Sequence, residues 1–284
     1  IQIEGLSMAV YLSLIRENSD AKVVLRAHNI EHLIWQRHQH FEKNPMRKVY
    51  LNLQVDRLKE FEKQIFEAVD GIIFITADDE AVYKNNIGEN NHTAVACGLN
   101  IEEYPVRKSE GETDLTYLAS FDWLPNQQGV EWFVKQVWPT IKAKRPETTF
   151  KLGGRFMPKS FHDFKQKGIE LVGEVEDHRS FIQQGKIALV PLLAGSGMRI
   201  KIIENMALSM PIVSTSVGAE GIHYDEGEEL LIADNSPDFA REVLDLLADA
   251  PARKRLGKKA RWRAEQSYLN QTLGKQTINF YAEL

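Results

Sequence analysis

The chain has 284 residues, 43% hydrophobic and 26% charged, with a net charge of −5. That length suits two average domains and that balance an ordinary globular protein. The acidic excess argues against a nucleic-acid partner, which calls for a strong basic surplus, and the one cysteine, Cys97, leaves no disulfide framework or zinc cluster within the sequence and fits a reducing, cytoplasmic setting.

The sequence opens on "IQIEGL", without a methionine. "KVVLRAHN" then reads as a strand, followed by a long helix and a second strand, "GIIFIT". Leu51, Val55, Leu58, Phe61, Ile65 and Val69 recur at spacings of three and four, which gives that helix one apolar face. Between Gln36 and Gln64 the bases Arg37, Lys43, Arg47, Lys48, Arg57, Lys59 and Lys63 outnumber the acids. Such a run is the solvated face of a helix, and it would also suit a phosphorylated acceptor or peripheral contact with an anionic membrane surface. No apolar run reaches the ~20 residues of a membrane span. "TAVACGLNIEEYP" is a short strand entering a turn, and "VRKSEGETD", residues 106–114, is charged and poor in apolar residues, the composition of a linker.

Past it the alternation is regular. "LTYLA" is a strand, "LPNQQGVEWFVKQVWPTIKAK" a helix, "TTFKLGG" and "IELVG" strands, and "EDHRSFIQQ" a helix. The strand "IALVP" leads into "LLAGSGMRIKIIENMA", then come "MPIVST" and "LLIAD", and helices follow from Pro237 onward. Strands alternating with helices predict an α/β chain with parallel sheets in a doubly wound layout.

Ligands in such folds sit at the carboxyl ends of strands. Those ends offer Arg26, His28, Asn29, Thr76, Gly98 and Asn100 in the first half. In the second they offer Ser120, Phe121 and Asn126, then Gly153, Gly154 and Arg155, then Gly173 and Glu174, then Pro191 to Lys201 and Ser216 to Gly221. The stretch 192–207 is the most informative. A loop of small residues joins a strand end to a helix predicted to begin near Met198, with Ile200, Ile203 and Ala207 facing a core. Its backbone N–H groups and the positive end of the helix dipole favour an anion such as a diphosphate.

Read as continuous helix, Gly197 and Glu204 fall on one face about 10 Å apart. A nucleoside on that diphosphate would reach Glu204, whose carboxylate suits two vicinal ribose hydroxyls. Arg199 and Lys201 stand close enough to neutralise phosphate. The plainer alternative for Glu204 is a surface ion pair with Lys201. "GMRIK" is not the Gly–Lys–Ser/Thr opening of a P-loop, and Ile200 sits where a dinucleotide fingerprint needs a small residue. The sequence has no Asp-x-Asp for a divalent metal.

Taken together, "YLASFDWLPNQQGVEWFVKQVWPTIKAKRPETTFKLGG", "LVGEVED", "VPLLAGSGMRIKIIENMALSMPIVSTSVGAEGI" and "QTINFYAEL" resemble group 1 glycosyltransferases of the two-domain GT-B fold, the family-4-like retaining enzymes of bacterial polysaccharide and lipid-linked glycan synthesis. "VVLRAHNIEHLIW", "FEKQIFEAVDGIIFITADDE" and "ACGLNIEEYP" fit the same pattern. The resemblance implies two Rossmann-like domains: an incomplete acceptor-side domain over 1–108, a nucleotide-sugar domain over 109–265, and a helix over 266–284 crossing back to the first. It also implies that the leading strands of the first domain are missing from this chain.

The donor would be a nucleoside-diphosphate sugar and the acceptor a glycan or lipid-linked hydroxyl, with no further cofactor and no metal. The second glutamate of the family's Glu-x7-Glu motif falls on Glu204, but the first falls on Ser196, so the donor-sugar contact departs from the pattern. The resemblance gives Gly195, Ser196, Gly197 and Met198 to the diphosphate and Gly173 to Val175 to the base. Asn126 and Gln128 stand near the places of the family's phosphate-binding arginine and lysine, a role left to Arg155, Arg199 or Lys201. His28 matches a histidine that faces the donor across the cleft. Asn29 and Glu31 read as a cap on the helix that follows, and Trp35 and Trp123 as core. An epimerase on the same fold, a non-catalytic sugar-nucleotide binder and an NAD-dependent oxidoreductase are the rival readings.

Overall fold

The computed structural model describes residues 1–41, 44–107, 109–195 and 197–284; Lys43 and the side chain of Arg37 lie outside the described residues. The chain divides into two compact units, one of residues 1–97 with 196–198 and 271–284, the other of residues 98–195 and 199–270.

The first unit runs β1 (Gln2–Glu4), α1 (Leu12–Asn18), β2 (Val24–Ala27), α2 (Glu31–Phe41), α3 (Pro45–Ala68), β3 (Gly71–Phe74), α4 (Ala77–Asn86) and β4 (His92–Ala94). Its strands pair in parallel in the order β1-β2-β3-β4. Alternate residues therefore go to opposite faces of the sheet. Leu25, Ile72 and Phe74 pack with Ile65, Phe66 and Tyr83 on one face, and Val24 and Ile73 look to the other. Asn44 caps α3 by accepting from the Met46 and Arg47 N–H groups at 3.0 and 3.3 Å, with Pro45 opening the helix.

The second unit holds β5 (Thr113–Leu118), α5 (Leu124–Trp132), α6 (Trp138–Lys144), β6 (Phe150–Gly153), β7 (Ile169–Gly173), α7 (His178–Gln183), β8 (Gly185–Val190), α8 (Ile200–Ala207), β9 (Ile212–Ser214), β10 (Leu231–Ile232), α9 (Ser236–Ala248) and α10 (Ala250–Ser267). A last helix, α11 (Asn270–Glu283), lays Leu273 and Phe280 on the Val24–Ile73 face of the first sheet. The second sheet is parallel throughout, ordered β10-β9-β8-β5-β6-β7. Trp138, Tyr117, Phe121, Phe133, Phe150, Phe161 and Phe239 are wholly buried in its core. Phe133 meets Phe150 edge to face at 5.3 Å, and the Trp138 Nε1–H reaches the Lys167 carbonyl at 2.8 Å. Burial supplies most of the stability here, and the indole is satisfied as it is buried.

The boundary between units falls at Cys97/Gly98 rather than at 108/109. The reason is that Leu99, Pro105 and Arg107 are bonded into the second unit. Leu99 N–H donates to Tyr268 O at 2.8 Å, the Gln183 amide to Pro105 O at 2.6 Å, and Arg107 to Gln183 O at 3.2 Å. The predicted linker is likewise no free linker. Thr113 and Asp114 already belong to β5, and Glu110 holds Arg253 through both carboxylate oxygens, at 2.6 and 2.8 Å.

Candidate functional site

From β5 the chain goes one way to β6 and β7, then returns to place β8, β9 and β10 on the other side. The carboxyl ends of β5 and β8 thus flank a topological switch point, where the strand order leaves a crevice open for a ligand. The loop after β5 delivers Trp123 and the start of α5, and the loop after β8 delivers residues 191–199 and α8.

Lys201 lies in the first turn of α8. Its ammonium donates to Asn126 Oδ1 at 2.9 Å and sits 4.9 Å over the ring of Tyr117. Burial, and then the charge of Arg199, bring it down to about 7, against a smaller upward pull from Glu204. Asn126 is buried: it also accepts from Tyr117 Oη at 3.1 Å and donates to Ser120 O at 2.7 Å. Arg199 is buried too, its guanidinium 5.1 Å over the Trp123 ring. Gly195 makes room for that stack. Its φ is 128°, and a Cβ there would come within 2.9 Å of the Trp123 ring as well as colliding with Arg199. Two cations and a glycine loop therefore meet at one strand end, an arrangement that attracts phosphate.

Glu204 stands one turn further along α8. Its Oε1 accepts from Tyr104 Oη at 3.0 Å and lies 3.4 Å from His178 Nε2. Lys201, Glu204 and Asn205 line a small cavity of about 40 Å³ with Thr116, Leu118, Ile182, Ala188 and Leu189. His178 opens α7, whose cap is Asp177, accepting from the Arg179 and Ser180 N–H groups at 3.1 and 3.3 Å. Among the described residues no three His, Cys, Asp or Glu side chains form a set that could hold a metal ion, and no described helix is long and apolar enough to cross a membrane.

Residues 112–249, which contain this crevice, match the family model described as "Glycosyl transferases group 1". They form a group 1 glycosyltransferase domain. The whole chain has the α/β GT-B fold of known glycosyltransferase structures. It superposes on the sucrose-phosphate synthase of Thermosynechococcus elongatus with a TM-score of 0.77 at 16% identity, covering 100% of this chain and 73% of that one. On HepE of Anabaena, solved with UDP, it does so with a TM-score of 0.77 at 12% identity, covering 100% and 79%. A curated relative, an uncharacterised 44.6 kDa protein in the cps region of Klebsiella pneumoniae, is 24% identical over 246 residues. That match takes in 83% of this chain, which spans 62% of the relative's length.

Within the glycosyltransferase domain, Lys201, Arg199, Gly195, Asn126 and Glu204 come together as neighbours. Asn126 does so as the buried support of Lys201. Gly173, with φ 80°, ends β7, and Val175 follows in the loop that leads to His178. Gly197 has φ 76° and Met198 is part-buried; Ser196 lies outside the described residues. Arg155 is not part of the cluster. It is exposed after β6, its guanidinium 5.9 Å over Phe156. In the other unit, His28 follows β2, half-exposed, with Nε2 3.1 Å from Glu4 Oε2.

Several expectations change. The helix begins at Ile200, with Arg199 at the N-cap position, so Gly197 and Glu204 do not share a helical face. Ile200 is 44% exposed, and the core side is Ile202, Ile203, Met206 and Ala207. The helix is shorter than expected, because Met198 and Arg199, assigned to its first turn, are loop. Glu204 is engaged by Tyr104 and His178 rather than by Lys201. Trp123 is no core residue but the platform under Arg199, and Trp35 is exposed as well. Sequence reasoning missed Tyr104 and His178, which lie far from Glu204 along the chain. It also missed Glu62, which caps α2 by accepting from the Glu31 N–H at 2.8 Å in place of an Asn29–Glu31 cap. A single aromatic at the end of "NIEEY" was the one available sign of Tyr104.

Proposed function

We propose that this chain moves a glycosyl group from a nucleoside-diphosphate sugar to an acceptor hydroxyl, with the donor held by the second unit. The observation that carries this is the pairing of Arg199 and Lys201 beside the Gly195 loop at the switch point, with Glu204 a turn away. HepE, similar in fold, has been solved with UDP and with UDP-glucose, which supports a nucleoside diphosphate as the leaving group. In the transfer, the acceptor oxygen bonds to the anomeric carbon as the bond from that carbon to the diphosphate breaks. The diphosphate leaves with the electron pair, and the acceptor proton passes to it.

Arg199 and Lys201 would stabilise the charge that develops on that leaving group, the role a metal fills elsewhere. Attack from the leaving-group side, with retention, is what the family resemblance implies. His28 would hydrogen-bond the reacting sugar or the acceptor, a glycan or lipid-linked hydroxyl. The cps-region relative is in keeping with polysaccharide assembly. The family match is to transferases, and nothing in the second unit favours an epimerase or an oxidoreductase. The test is calorimetry with UDP, GDP, ADP and TDP, followed by transfer assays with the sugar nucleotides of whichever base binds. Glu204→Ala should weaken binding by about 1–3 kcal/mol through lost charge-assisted hydrogen bonds; unchanged affinity removes Glu204 from the donor site.

The acceptor side has a second feature of its own. Met46, Val49, Tyr50 and Leu53 are 79%, 62%, 61% and 55% exposed, and their spacing puts them on one face of α3. Arg47, Lys48 and Arg57 stand around them, and the only acid over that stretch is Asp56. An apolar stripe edged by cations fits the surface of an anionic bilayer, where the apolar side chains enter the headgroup boundary. Co-sedimentation should show binding to phosphatidylglycerol vesicles, loss of it on phosphatidylcholine, and weakening by salt or by Leu53→Glu. A chain that ignores both vesicles and instead self-associates with rising concentration would assign the stripe to a second copy.

A further inference from the structure

Glu204 has two carboxylate oxygens, and the fold engages one. Tyr104 Oη donates to Oε1 at 3.0 Å, and His178 Nε2 is 3.4 Å from the same atom. Among the described residues Oε2 has no partner, and the side chain retains 23% exposure. Tyr104 is itself held. Tyr104 is 9% exposed, its ring edge-on to His178 at 6.3 Å, with the Arg179 guanidinium 5.3 Å over it. Arg179 is fixed in turn by the Glu103 carbonyl at 2.6 Å. Burial, then the nearby Glu204 charge and hydrogen bond, raise the Tyr104 phenol to about 12, so its O–H remains a donor throughout the working range of pH.

We propose that Tyr104 is a positioning residue that pins Oε1 of Glu204 and so presents Oε2 to the vicinal hydroxyls of the nucleotide's ribose. The inference rests on the donor-site reading above and adds to it the group that sets ribose specificity. A glutamate on an exposed helix face samples several rotamers, and ordering it on binding costs entropy. With one oxygen tied to a buried phenol, that ordering is complete before the ligand arrives, and affinity rises accordingly. The roles are also chemically separate. A phenol and an imidazole can donate to the carboxylate, whereas the ribose hydroxyls need an acceptor, which Oε2 supplies.

The experiment compares ribo- and 2′-deoxyribonucleoside diphosphates on the intact chain, using UDP, GDP and ADP each with its deoxy counterpart. The wild type should prefer the ribo form. Tyr104→Phe, which keeps the ring, should narrow that preference about tenfold, the size expected for disturbing one charge-assisted hydrogen bond. Deoxy binding should fall less than ribo binding, since only the contact to the remaining 3′-hydroxyl is left to disturb. If Tyr104→Phe weakens ribo and deoxy forms equally, Tyr104 merely supports the fold and the inference fails. If Glu204→Gln narrows the preference while Tyr104→Phe leaves it intact, the inference fails but the donor site stands. If Glu204→Gln leaves it intact too, the donor-site reading falls first.

Discussion

Replacing Lys201 with methionine is expected to weaken nucleoside-diphosphate binding roughly 10- to 100-fold near pH 7, as loss of a charge-assisted contact to phosphate would, and to flatten its pH dependence. The ammonium is held by Asn126 and lies over Tyr117, and burial with the Arg199 charge brings it down to about 7. The sign follows from linkage. A diphosphate beside the amine favours its protonated form, so the pKa rises on binding and a proton is taken up whenever the free site is neutral. Affinity is therefore greatest below about 7 and falls as pH climbs above it, by at most tenfold per unit.

The ligand's own last phosphate proton, with a pKa near ~6, has gone by then, which leaves the window above neutrality to Lys201. Calorimetry in buffers of differing ionisation heat would read the proton directly. An affinity that is level from neutrality to about one and a half units above it, together with an unaltered Lys201→Met variant, would take Lys201 out of the phosphate site. That outcome leaves Glu204 untouched, so the two halves of the donor reading can fail separately.

Much of this architecture follows from period and punctuation. The second unit alternates strand and helix so regularly that its parallel sheet and the loop at 192–199 are readable from sequence. The side chains that complete the site are not. Tyr104 meets Glu204 across 100 residues of chain, and Asn126 meets Lys201 across 75, separations over which no local pattern carries information. Where local pattern did speak, it misjudged a helix start by two residues, because a Gly-Ser-Gly-Met-Arg loop with positive φ at Gly195 and Gly197 delays the first turn. A tryptophan was read as core on hydrophobicity alone, yet Trp123 works as an aromatic face for a buried cation. The segment around residue 100 is a related case. Polar composition marks a segment as surface, but it cannot tell a free linker from one fixed by hydrogen bonds to its neighbours, as Leu99, Pro105 and Arg107 are.

Removing the carboxylate of Glu62 should destabilise the first unit by about 3 kcal/mol, since it breaks a buried pair and orphans helix N–H groups at once. Glu62 is 1% exposed and reaches from α3 to the start of α2. It accepts from the Glu31 N–H at 2.8 Å and the His32 N–H at 3.5 Å, and makes a short bond to His32 Nδ1. The nearer candidate, Asn29, instead bonds the Glu31 side chain, whose pKa is raised chiefly by burial. In Glu62→Ala the first turn of α2 loses its acceptor, the His32 ring is left buried without its partner, and a void replaces the carboxylate. Glu62→Gln keeps an acceptor oxygen and should lose less.

Because the two units need not unfold together, one melting curve is a poor gauge. Amide exchange at Glu31 and His32 isolates the effect and should speed up by roughly 100-fold for a loss of ~3 kcal/mol. Exchange there as slow as in the wild type would mean that Asn29 and Glu31 suffice as the cap, restoring the reading of that turn from its own residues.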